Sequence, residues 1–161
     1  SFDSKQAGFT KIKHRQSFFS EEQQNTINEI DSLLLKNNVE STELAFDLAS
    51  ELEFSDTSSI DYKLITAKTI LNLAYLNNNN SGFFDKARTI AFKIKDSEFK
   101  NYRNHAYCLY ILSAYEYFFG EKTIALDYIK KSYFISNASS EIKQFWKKLN
   151  REQLQKWRSS D

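Results

Sequence analysis

An all-α fold is what this 161-residue sequence predicts: three helical hairpins followed by a terminal capping helix. Three observations carry the prediction. Proline is absent, as fits a chain helical nearly throughout, because proline inside a helix costs about 3 kcal/mol. From Ser20 onward, polar capping residues are followed by apolar residues at helical spacing. A pattern also repeats: Gly82, Ala87, Ala91 and Ile94 are matched 38 residues later by Gly120, Ala125, Ile129 and Ser132. Leu71 and Leu109 keep the same offset, and a looser copy (Ala45, Ala49, Leu52) lies ahead of both. A period of roughly 20–50 residues marks a helical array whose units bury their apolar faces by stacking on one another.

The elements follow in order. Residues 1–19 read as a basic N-terminal arm or a short docked helix. Gly8 interrupts this segment, Lys11, Lys13, His14 and Arg15 charge it, and Phe9, Ile12, Phe18 and Phe19 give it apolar grip. Ser20 with Gln23 forms a capping box that opens a first helix carrying Ile27, Ile30 and Leu34, which Asn37 and Asn38 stop. Ser41 or Thr42 starts a second helix with Leu44, Ala45, Leu48, Ala49 and Leu52. Ser58 with Asp61 caps a third, carrying Leu64, Ala67, Leu71 and Ala74 and ending in the polar turn Asn77 to Asn80.

A fourth helix runs from about Phe83 to Lys95, a fifth from about Lys100 to Phe119, and a sixth from about Glu121 to Ile135. Ser139, Ser140 and Glu141 open the last, which carries Ile142, Phe145, Trp146, Leu149 and Trp157. Residues 20–136 thus form the repeat array, and 137–161 form a cap of the kind that helical arrays need at their ends.

Composition narrows the function classes. The length suits one domain with a substantial core. Net charge is +1, so no overall field favours nucleic acid, and nucleic acid is not the expected partner. Two cationic concentrations stand out, the N-terminal arm and the last helix, where Lys147 and Arg151 lie four apart near Trp146. No apolar run approaches the roughly 18 residues of a membrane span, and no signal peptide is evident, so the expectation is a cytoplasmic protein without membrane attachment. Cys108 is the single cysteine, which excludes an internal disulfide. The absence of Met marks the chain as trimmed, processed or a fragment.

The repeat residues resemble the tetratricopeptide-repeat family, whose unit is a 34-residue helix-turn-helix. Gly82 with Ala87, and Gly120 with Ala125, stand where that family places small residues at the turn and at the helix crossing. Leu71 and Leu109 match the first large position of the leading helix, and Leu112 and Ser113 the next two. The segment Gly120 to Ser132 is the fullest copy. The period here is longer, 38 residues and 42 between Ala45 and Ala87. Asn78 and Glu116 replace the usual aromatic before the turn, and no proline closes any unit. The resemblance implies a right-handed superhelix whose leading helices line a concave groove.

On that expectation the fifth helix presents Arg103, Tyr107, Tyr110, Ala114 and Tyr117 inward, and the third presents Ile65, Thr69, Asn72, Leu76 and Asn79. Asn donates to and accepts from a peptide backbone, Tyr offers flat area with a polar tip, and Arg103 suits a carboxylate. Asn72, Asn79, Arg103, Tyr107, Tyr110 and Tyr117 are therefore the expected contacts for a peptide or protein ligand. The competing expectation is that the tyrosines pack between helices and the asparagines are solvated. His105 and Cys108, three apart, lack the further ligands of a metal site and the third group of a catalytic one. No cofactor, metal or catalysis is expected.

The function these features imply is a non-catalytic protein- or peptide-binding scaffold. The alternatives are the peptide-sensing domain of a bacterial or phage transcription regulator lacking its DNA-binding part, and a toxin-neutralising partner. A homodimer through the terminal helices is a further expectation.

Overall fold

The computed structural model describes residues 18–97 and 101–159. These form seven helices: α1 (Glu21–Leu35), α2 (Val39–Ser55), α3 (Ile60–Leu76), α4 (Ser81–Lys95), α5 (Tyr102–Phe119), α6 (Lys122–Ile135) and α7 (Ser140–Ser159). The all-helical expectation holds among the described residues, helix for helix. Most of the arm assigned to residues 1–19, with its cations, lies outside them. The chain divides into two compact units, Ser1–Asn101 with α1 to α4 and Tyr102–Asp161 with α5 to α7.

In the first unit each helix packs on the next, α1 on α2, α2 on α3 and α3 on α4. The Ser20–Gln23 capping box forms as the sequence implies. Two other starts differ. Asn38 does not merely stop α1; its side chain accepts from Ser41 N at 2.8 Å and caps α2, which therefore begins at Val39. Ser59, not Ser58, caps α3, because Asp56 Oδ1 draws the Ser58 hydroxyl at 2.7 Å and leaves Ser59 to meet Tyr62 N.

The core of this end joins Ile30 of α1, Ala45, Ala49 and Leu52 of α2, and Tyr62 of α3. Phe19 stacks on Tyr62 with ring centroids 5.9 Å apart, tying the lead-in to α1 against α3. Alanine at two positions one turn apart lets α2 approach its neighbours closely. Polar links add specificity across the same contact: Thr66 Oγ1 donates to Glu53 Oε2 at 2.8 Å.

The four asparagines after α3 divide three tasks among them. Asn77 donates from its side chain to the Leu73 carbonyl at 2.8 Å, closing the helix end. Asn78 and Asn79 adopt left-handed backbone, with φ of 56° and 55°, a region that asparagine tolerates better than other side-chain-bearing residues. Asn80 donates from its backbone to Ala74 O and caps α4 through its side chain, accepting from Phe83 N. The polar turn expected from sequence is thus a complete stop-and-start device. It places Gly82 inside the first turn of α4, whereas Gly120 precedes α6, so the 38-residue echo is not exact at the helix starts.

In the second unit α5 packs on α6 and α6 on α7. The repeated stripe is buried wherever it occurs: Ala45, Ala49 and Leu52 in α2, Ala87, Ala91 and Ile94 in α4, and Ala125, Ile129 and Ser132 in α6. Ser132 takes the place of Ile94 because its hydroxyl donates to the Ala106 carbonyl at 2.6 Å. Ser113 donates to the Ala125 carbonyl at 2.6 Å from the opposite helix. Two reciprocal bonds of about 1 kcal/mol each therefore fix the register of α5 on α6. Before α6, Glu121 makes no cap with its own side chain. Glu116 substitutes, its carboxylate accepting from Glu121 N at 3.1 Å while lying in the space that a Cβ at position 120 would take. Gly120 leaves that carboxylate its place; a side chain there would displace it and the cap it makes.

Among the described residues no helix is long and apolar enough to cross a membrane.

Candidate functional site

The tyrosine stripe of α5, expected to line an open groove, is covered by α7. Tyr107 and Tyr110 are only 9% and 5% exposed. The Tyr107 hydroxyl donates to Glu141 Oε2 at 2.9 Å, and that of Tyr117 to Glu152 Oε1 at 2.7 Å. Phe145 sits between them, edge-on to Tyr110 at 5.4 Å and to Tyr117 at 5.6 Å. Edge-to-face pairs of this kind add about 0.5–1.5 kcal/mol beyond area burial. In this arrangement Tyr107 and Tyr110 hold helix to helix and offer no surface to a ligand. The packing alternative weighed for them is the one the structure supports.

The other expected contacts are dispersed. Asn72 lies half-buried on α3 and donates from Nδ2 to Thr42 Oγ1 at 2.9 Å, bracing α3 on α2. Asn79 is exposed, but α3 ends at Leu76, so this residue belongs to the left-handed turn and not to a helical stripe. Arg103 is exposed in the first turn of α5. Asn72 and Asn79 thus fall in the first unit, and Arg103 and the three tyrosines in the second.

What α5 does present is its C-terminal end. Tyr115, Tyr117, Phe118 and Phe119 form a chain of ring contacts, with Tyr115 to Phe119 at 5.7 Å, Tyr117 to Phe118 at 5.0 Å and Phe118 to Phe119 at 6.3 Å. Phe119 remains 42% exposed. Lys122 of α6 and Lys148 of α7 each bring Nζ to 5.0 Å from the centre of the Tyr117 ring. Lys148 also approaches the Phe118 ring, at 5.9 Å. These separations lie within the roughly 6 Å reach of a cation–π contact. Burial, and then the hydrogen bond and negative charge of Glu152, push the Tyr117 hydroxyl up to about 12. That tyrosine stays neutral and donating at physiological pH. The cluster offers apolar ring surface beside two ammonium groups, suited to an aromatic or aliphatic side chain carried next to a carboxylate.

His105 and Cys108 are both buried, His105 at 6% exposure and Cys108 at 0%. Among the described residues no group of three or more His, Cys, Asp or Glu is placed to hold a metal ion.

Glu116, Glu141, Glu152, Lys122 and Lys148 do work that sequence reasoning did not assign. The signal for two of them was present. Glu141 and Glu152 are the only carboxylates of α7, and they lie eleven residues apart, about three helical turns, on the face that carries Phe145 and Leu149. An acidic residue placed on the apolar face of a lysine-rich helix points to a partner across the contact.

Comparison with family models, with curated proteins and with solved structures returns no match for this chain, so the tetratricopeptide resemblance stands on the repeat residues alone.

Proposed function

We propose that this chain is a non-catalytic scaffold of tetratricopeptide-like hairpins that binds a peptide or partner protein. The observation that carries the reading is the half-open aromatic end of α5, where Phe118 lies against Tyr117 and Phe119 against Phe118, with Lys122 and Lys148 over the Tyr117 ring. Exposed aromatic side chains beside cations are characteristic of the anchoring points of protein interfaces. The helices beneath are fixed by the Ser113 and Ser132 bonds and by α7, so the rings are held in place before a ligand arrives, which lowers the ordering cost of binding.

The test is selection from a displayed library of random peptides, followed by titration of the winners. Peptides pairing an apolar side chain with a nearby carboxylate are expected, and Phe119→Ala combined with Lys148→Glu weakens them tenfold or more while leaving helicity intact. Winners without such a pattern, or with unchanged affinity for the double variant, refute the assignment.

A further inference from the structure

The charges of this nearly neutral chain are segregated. Residues 21–55, spanning α1 and α2, carry nine carboxylates and one lysine. Helix α7 carries six cations against two carboxylates. Both of those carboxylates, Glu141 and Glu152, are turned to the α5 tyrosines. The outward surface of α7 is left to its lysines and arginines.

Each of these helices bears a shallow surface depression of one sign. On α1 it is lined by Glu21, Glu22 and Glu29, with only Ser20, Asn25 and Thr26 besides. On α7 it is lined by Lys147, Lys148, Arg151 and Trp146, with Gln144 and Asn150. The two are opposite in sign, and the α7 depression is extended by the exposed Lys143 one turn before it. Glu22 and Glu29 stand about 10 Å apart along α1, and the exposed ridge Lys143, Lys147, Arg151 spans about 12 Å along α7, at 1.5 Å per residue. Large apolar side chains are also exposed on both segments, Phe18 and Leu35 at the two ends of α1, and Leu154 and Trp157 in the C-terminal part of α7.

We propose that copies of this chain associate with one another, the carboxylate face of α1 in one copy seating the cationic face of α7 in the next. A second copy is favoured over nucleic acid as the occupant of α7 because the net charge is only +1, so no overall field draws a polyanion, and the chain itself supplies a carboxylate-rich α1–α2 hairpin. The same hairpin is an asset when the partner is this chain. Unlike faces meeting in this way make a heterologous contact, which propagates into open chains or closes into a ring.

Analytical ultracentrifugation of the full chain tests this. At low ionic strength the mass is expected to climb above 18.9 kDa as concentration rises. At about 1 M salt, where the screening length falls to about 3 Å, it returns to the monomer value. Glu22→Lys with Glu29→Lys, and separately Lys147→Glu with Arg151→Glu, each abolish assembly, and mixing the two double variants restores it. All four residues are exposed, so folding is preserved. The milder pair Lys147→Gln with Arg151→Gln gives the same loss without reversing charge. A wild-type chain at 18.9 kDa under all these conditions overturns the proposal. So do charge-reversed variants that assemble unchanged, a mixture that stays apart, or a monomer that binds duplex DNA through Lys147 and Arg151.

Discussion

The Tyr117 hydroxyl donates a 2.7 Å hydrogen bond to Glu152 across the contact between α5 and α7. With the bond from Tyr107 to Glu141, it pins α7 at two points about three helical turns apart. Phe145 fills the space between. This relationship buries the middle of α5 and leaves its C-terminal end as the proposed binding surface of the second unit.

It also gives Tyr117 a distinctive titration. Its hydroxyl is held at about 12, by burial first and Glu152 second, against an ordinary value near 10. A raised value means that the neutral form is favoured in the folded chain. Its contribution is complete below about pH 10 and is lost as pH rises through about 12. Ultraviolet difference titration of wild type against Tyr117→Phe should therefore lose a phenolate transition near 12. A missing transition near 10 would show that the bond to Glu152 is not made.

The Ser132 hydroxyl sits fully buried where the preceding repeat has Ile94. Ser132→Ala removes its bond to Ala106 O and should cost about 1 kcal/mol. Ser132→Ile, which copies the earlier repeat, also forces a larger side chain against α5 and should cost more, about 1–3 kcal/mol beyond the lost bond. Urea denaturation of both variants orders them. If isoleucine were the better tolerated, the reciprocal serine bonds would not be setting the register of α5 on α6.

Asn78 and Asn79 hold left-handed backbone in succession. Asn79→Ala should cost about 1–2 kcal/mol, whereas Asn79→Gly should be close to neutral, because only the Cβ conflicts with that conformation. Thermal melts of the two variants separate a strained turn from an ordinary polar loop, in which both substitutions behave alike.

Much of this architecture is legible in the residues themselves. The buried stripes Ala45–Ala49, Ala87–Ala91 and Ala125–Ile129 are apolar pairs at one-turn spacing, each opened by a small alanine, and helix periodicity alone exposes them. Caps were less legible. Ser58 and Ser59 are equivalent as local signals, and the bond from Ser58 to Asp56 decides between them. The binding surface was the least legible. A tyrosine stripe at helical spacing reads the same whether it faces a ligand or another helix of its own chain. The choice rested on Glu141 and Glu152, more than thirty residues away in sequence, and on the way that α7 turns back over α5.

The central claim is that ligands engage the aromatic end of α5, and not the stripe beneath α7. The most direct measurement is heteronuclear NMR of the full chain titrated with a peptide from the library selection. Shift perturbations are predicted at Tyr115 to Lys122 and at Lys148, with Asn72 and Asn79 unmoved. Perturbations confined to α1 through α4 would contradict the account.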